Sequence, residues 1–130
     1  MWLLDTSVCV ALINRTDDQA AARLFEHPRA SVRLCSVVKA ELHFGAQNSS
    51  RLAENLQRVD IFCRAFDSLP FDDESARHYG IVRAQLRREG RPIGGNDLMI
   101  ASIAIANSHV LATRNLGEFS RVSGLDVERW

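Results

Sequence analysis

Short apolar runs alternate along the chain with stretches in which apolar residues recur every three or four positions. These are the signatures of buried strands and of helices with one buried face. Trp2-Leu3-Leu4 reads as a strand ending at Asp5, and Thr6-Ser7 can cap a helix through Val8 to Ile13. Asp17-Asp18 opens a helix that carries Ala20 to Phe25 and stops before Pro28. Val32 to Cys35 reads as a second strand, and Ser36 begins a helix over Val37 to Gln47. A long helical segment, Arg51 to Phe66, is followed by an extended piece, Ser68 to Phe71. Asp72-Asp73-Glu74 puts acids in the first turn of a helix ending near Gly90, with arginines in its last turns, as the helix dipole favours. The loop Arg91-Pro92-Ile93-Gly94-Gly95 leads to Asn96 and a helix through Asn107. His109 to Thr113 reads as a strand and Leu125 to Val127 as a last edge strand.

Strands alternating with helices predict an α/β fold, a short parallel sheet of four or five strands flanked by helices. Such sheets open a ligand crevice beyond the carboxyl ends of their strands, near the switch in strand order. Chemistry is therefore expected at the carboxyl end of the first strand, and the residue there is Asp5.

Size and composition narrow the class. The 130 residues, 46% hydrophobic and 25% charged, suit one domain over 1–130 and exclude disordered and disulfide-scaffold classes. The longest apolar stretch, Leu98 to Ala106, is nine residues and already contains Ser102. A membrane span needs about twenty, so no membrane partner is expected. Asp5 falls where an export signal needs its apolar region, and Cys9, Cys35 and Cys63 sit at wide spacing among apolar neighbours. A cytoplasmic protein is expected. Sixteen basic residues balance sixteen acidic ones, so there is no global attraction to nucleic acid. Fifteen of the bases are arginine, with Lys39 the single lysine, which suits either genomic base composition or phosphate contacts. Arg83, Arg87, Arg88 and Arg91 form the one dense basic run.

Three acids stand in apolar surroundings. Asp5 ends a strand, where an aspartate also suits a helix cap. Glu41 falls, at about 100° per residue, in an arc with Val37, Val38, Phe44 and Gly45, with Lys39 and His43 opposite. A buried carboxylate there needs a partner, either an arginine or a cation. Asp97 begins a helix that is apolar almost all round, where it serves as a dipole partner or as a ligand. Taken together, each can sit where a doubly wound sheet opens its crevice. Clustered carboxylates repel unless a divalent cation joins them, and hard oxygen ligands select Mg²⁺ or Mn²⁺. The histidines (His27, His43, His78, His109) are dispersed, so no zinc spacing exists. There is no Walker loop, so no nucleotide cofactor is expected. A carboxylate-held metal without a nucleotide motif fits metal-activated water attacking a phosphodiester.

On these residues the chain resembles PIN-domain proteins, and specifically VapC-type toxins of bacterial toxin–antitoxin systems. The resemblance covers essentially the whole chain. It rests on Leu4-Asp5-Thr6-Ser7, on Ser36 to Leu42 with Gly45, on Arg91 to Ala101, and on Ala112 to Asn115 through Glu118-Phe119. It implies a three-layer PIN fold and an Mg²⁺-dependent endoribonuclease, with Mn²⁺ an acceptable substitute. Asp5 and Asp97 would bind the metal directly, and Glu41 would bind it through water or act as base. The family's fourth acid falls at Asn115, a neutral residue, leaving Asn115 or Glu118 in that role. Thr6, Ser7 and Thr113 would be supporting hydroxyls. The resemblance also implies RNA as substrate, tRNA among the candidates, a cognate antitoxin as partner, a homodimer, and the bacterial cytoplasm. Val10, Leu24 and Phe25 are candidate interface residues. A phospho-acceptor receiver domain would need an acidic pair after the first strand and a late lysine, which this chain lacks. A catalytically inactive PIN-type RNA- or protein-binding module is the alternative that Asn115 leaves open.

Overall fold

The computed structural model describes residues 1–130. Five strands form one sheet in the order β3-β2-β1-β4-β5, all parallel: β1 Trp2–Leu4, β2 Val32–Cys35, β3 Asp67–Leu69, β4 Val110–Thr113 and β5 Val127–Arg129. Seven helices connect them: α1 Thr6–Asn14, α2 Asp18–Phe25, α3 Ser36–Gln47, α4 Leu52–Arg64, α5 Asp73–Arg88, α6 Gly95–Ala106 and α7 Leu116–Phe119. The chain builds outward from β1 to β2 and β3, then returns to the other side for β4 and β5. Right-handed crossovers put the helices of the two directions on opposite faces. Accordingly α3 packs on α4 and α1, while α5 packs on α6. The α/β class and the five-stranded parallel sheet agree with the sequence expectation, and the first strand lies at the centre of that sheet.

One core of 29 buried residues fills both layers, with Leu3, Leu4, Leu34 and Leu111 of the sheet against Ile100 and Ile103 of α6. The wholly apolar character of α6 follows from its place here. Cys9, Cys35 and Cys63 are free and buried, as expected of small core residues. Local capping sets the helix starts. Asp17 accepts from Gln19 N at 2.7 Å to begin α2, and Asp72 accepts from Ser75 N at 2.9 Å to begin α5.

Several expectations need correction. The third strand is Asp67–Leu69 rather than Ser68 to Phe71, because Pro70 offers no amide to continue the ladder. The last strand lies two residues later than read, at Val127–Arg129. Gly124, at φ 80°, turns the chain first, and the buried Trp130 anchors its end. Helix α3 buries Val38, Leu42 and Ala46, so its inner face is rotated from the one expected; Phe44 is 69% exposed, Gly45 is exposed, and Glu41 lies half-buried at the edge. Leu24 is a core residue, not a surface one, whereas Val10 and Phe25 are exposed.

Candidate active site

The switch in strand order lies at β1, with β2 on one side and β4 on the other. Their carboxyl ends therefore open the crevice predicted for such sheets. Asp5 leaves β1 at its floor and is 4% exposed. Its Oδ1 accepts from Thr6 N at 2.7 Å, and its Oδ2 accepts from Ser7 Oγ at 2.9 Å and Thr113 Oγ1 at 2.7 Å. The capping role considered for Asp5 and its place in the crevice thus coexist. Burial pushes the Asp5 carboxyl up, the bonds from Thr113, Ser7 and Thr6 pull it back, and the charge of Glu41 adds to the rise.

Glu41 approaches from α3. Its Oε1 accepts from Thr6 Oγ1 at 2.6 Å, so Thr6 links the two acids, one through its amide and one through its hydroxyl. Asp97 approaches from the first turn of α6. Its carboxyl is pushed up to about 7, first by burial and then by the charges of Glu118, Asp5 and Glu41. Glu118 comes from α7. Its Oε1 accepts from Gly94 N at 3.0 Å, and its Oε2 accepts from Asn115 Nδ2 at 2.8 Å. These bonds, led by that of Gly94, hold Glu118 below the usual carboxylate range. The Glu118 charge is, after burial, the largest influence raising the Asp97 carboxyl. Asn115 itself caps α7 and accepts from Glu118 N at 3.4 Å.

The structure therefore gathers Asp5, Glu41, Asp97 and Glu118 around one crevice and sets Asn115 beside Glu118. No salt bridge reaches any of these acids. The arginine partner considered for Glu41 is absent, and its observed partner is Thr6. As arranged, no three of the acids close on one point tightly enough to enclose a cation. The donor set nevertheless fits a hard divalent cation. It is all oxygen, and the charges of Glu118, Asp5 and Glu41 raise the proton affinity of Asp97. The nearby thiols are no competing ligands, since burial pushes Cys9 well up and Cys35 up to about 11, so both stay protonated. What sequence reasoning missed is the frame around the acids. The Arg114–Asp17 ion pair joins the end of β4 to the start of α2, and the Gly94 amide fixes Glu118. The run Gly94-Gly95 before Asn96 is the sequence signal for the second, since it marks a loop whose backbone amides are accessible.

Residues 2–125 match the PIN domain. The chain belongs to the PIN-domain family. Within that family it is 35% identical over its whole length to a ribonuclease VapC2 of Rickettsia felis, of which it covers 98%. It is 36% identical to a tRNA(fMet)-specific endonuclease VapC of Shigella flexneri, over 99% of this chain and 97% of that protein. The fold superposes with a TM-score of 0.92, at 34% identity, on the crystal structure of DNA-bound VapBC from Salmonella typhimurium, covering 99% of this chain and 97% of that one. The PIN chain is thus a VapC-type nuclease, of a family whose enzymes depend on a divalent metal. No helix is long and apolar enough to cross a membrane.

Proposed function

We propose that this chain, acting as one PIN domain over residues 1–130, is an Mg²⁺-dependent endoribonuclease and the toxin of a toxin–antitoxin pair, with Mn²⁺ able to replace Mg²⁺. The observation that carries the reading is a crevice that gathers Asp5, Glu41, Asp97 and Glu118, where the charges of the other three raise the Asp97 carboxyl and no salt bridge reaches any of the four. Asp5 and Asp97 are assigned as direct ligands, with Glu41 acting through water or as base. When bound, the cation supplies Lewis acidity, activating water for attack on phosphorus and offsetting charge on the phosphate oxygens.

The chain's own side chains do the rest. Three hydrogen bonds hold Asp5 in one orientation, so little reorganisation accompanies the reaction. Thr6 aims Glu41 into the same space. Glu118 supplies the fourth carboxylate, and Asn115 positions it through its side-chain amide. This arrangement weighs against the inactive binding module, since the charge absent at Asn115 is present three residues on.

The substrate follows from the relatives: tRNA is the favoured RNA, as named for the Shigella flexneri enzyme. The partner is a cognate antitoxin, in line with the VapBC complex of Salmonella typhimurium, working in the bacterial cytoplasm. An arginine of that partner entering the crevice would neutralise the acids and silence the enzyme. Val10 and Phe25, 42% and 80% exposed, are the apolar residues offered to it or to a second copy in a homodimer. The test is incubation of the purified chain, stripped of co-purified partner, with tRNA in Mg²⁺ or in EDTA. Cleavage in Mg²⁺ alone supports the reading; binding without cleavage in either buffer supports the inactive module instead.

A further inference from the structure

The acid crevice has a neighbour of opposite character. Tyr79, Arg83 and Arg87 recur every four residues and so share one face of α5. That face lines a cleft of about 460 Å³ whose opposite wall includes Ile93, Gly95 and Leu98. Gly95 and Leu98 belong to the first turns of α6, the helix segment that also carries Asp97. The cleft and the acid crevice therefore share a wall.

Its two arginines are available. Arg23, Arg51, Arg77 and Arg114 are each paired with a carboxylate, whereas neither Arg83 nor Arg87 is. Arg83 is pre-oriented: its guanidinium carbon lies 5.8 Å from the Tyr79 ring centroid, and its Nη1 donates to the Tyr79 hydroxyl at 3.1 Å. Both arginines are exposed, so their charges are open to a ligand.

A nuclease built this way faces an electrostatic difficulty. Its catalytic crevice is acidic and the chain has no net positive charge, so nothing in the overall field draws a polyanion in. Local cations beside the acids must do it. We propose that the α5–α6 cleft seats backbone phosphates of the RNA strand next to the bond that is cut, with Arg83 and Arg87 as the contacting cations. Guanidinium forks match phosphate oxygens in geometry as well as charge, and the half-buried Ile93 offers apolar surface to a sugar or base edge. An acidic protein segment has the same charge. RNA is favoured because the cleft abuts the place where the scissile phosphate must sit. The proposal rests on the ribonuclease reading above and assigns Arg83 and Arg87 as substrate-positioning residues.

The test measures binding of a fluorescent single-stranded RNA oligonucleotide to Asp97→Asn protein, with and without Arg83→Gln/Arg87→Gln, across a salt series. Two lost phosphate contacts should lower the slope of log affinity against log salt by about 1.4. Arg83→Lys/Arg87→Lys should keep most of the slope, and Arg64→Gln on α4 should change nothing. In the Asp97-containing parent, the double Gln change should raise KM for RNA and leave kcat at saturation intact. An unchanged slope and KM would overturn the proposal. So would a variant that binds RNA normally but loses binding of the cognate antitoxin, since the cleft would then serve a protein partner. If the unsubstituted chain fails to cleave RNA at all, the ribonuclease reading itself has failed. If it cleaves while the slope is indifferent to Arg83 and Arg87, only the cleft assignment has.

Discussion

The hydroxyl of Thr113, at the end of β4, donates to the buried carboxylate of Asp5, at the end of β1, at 2.7 Å. The two residues are 108 positions apart and meet because Leu4 pairs with Ala112 in the central ladder. The same hydroxyl accepts from Asn115 N at 3.0 Å, so one buried oxygen ties the floor of the crevice to the segment that carries Glu118.

Thr113→Val keeps the shape and deletes that oxygen. The Asn115 amide loses its partner and Asp5 loses one of three donors, so the variant should be destabilised by about 1–2 kcal/mol. Asp5 loses the strongest influence that favours its charged form, so its carboxyl rises further. Metal-dependent cleavage needs that charge. The acidic limb of the pH–rate profile should therefore move to higher pH, and a melting curve together with that profile checks both effects.

Asp97→Asn should raise thermal stability in EDTA at neutral pH. Asp97 is pushed up to about 7 in the folded chain, above its ordinary value of 3.8. The unfolded chain releases this proton first, so the penalty is absent below the unfolded value. It grows as pH rises through the interval and is full above about 7. Asp97 is only half-buried, so solvent screening reduces the gain to on the order of 1 kcal/mol, about 3–5 °C in melting temperature. Melting at pH 5 and pH 7.5 in EDTA should show the larger gap at pH 7.5. Added Mg²⁺ should narrow or reverse it, because the parent binds the cation better.

Asn115 and Glu118 should separate by function. Asn115→Ala removes a positioning contact and should weaken cleavage about 10- to 100-fold, the usual loss for an outer-shell partner. Glu118→Gln removes the charge itself and should lose more, with the larger rise in the Mg²⁺ concentration for half-maximal rate. A rate-against-Mg²⁺ titration of both variants checks this order. Equal losses would make Asn115 as important as the carboxylate.

Much of this site was legible in the sequence, because a lone acid at the end of an apolar element is conspicuous. Asp5 after Trp2-Leu3-Leu4 and Asp97 before a wholly apolar helix are of that kind, and the structure brings both to one crevice. Glu41 was found through a helical arc that was set wrongly. Phe44 and Gly45 face solvent, because tertiary packing against α4 and α1 selects Val38, Leu42 and Ala46 as the buried face. The choice between Asn115 and Glu118 was beyond the pattern. It depends on α7, a four-residue helix whose start Asn115 caps and whose position Gly94 fixes from a distant loop. The late start of β5 has a similar origin, in the anchoring of Trp130, which no periodicity reveals.

The central claim is that these carboxylates hold the cation that cleaves RNA. The most direct measurement is single-turnover cleavage of tRNA by the parent and Asp97→Asn across a Mg²⁺ titration, with melting curves showing both folded. The account predicts a parent rate that saturates with Mg²⁺ and vanishes in EDTA, and a variant at least about a thousandfold slower at every Mg²⁺ concentration. An Asp97→Asn protein that cleaves as fast as the parent, or a parent indifferent to EDTA, would contradict it.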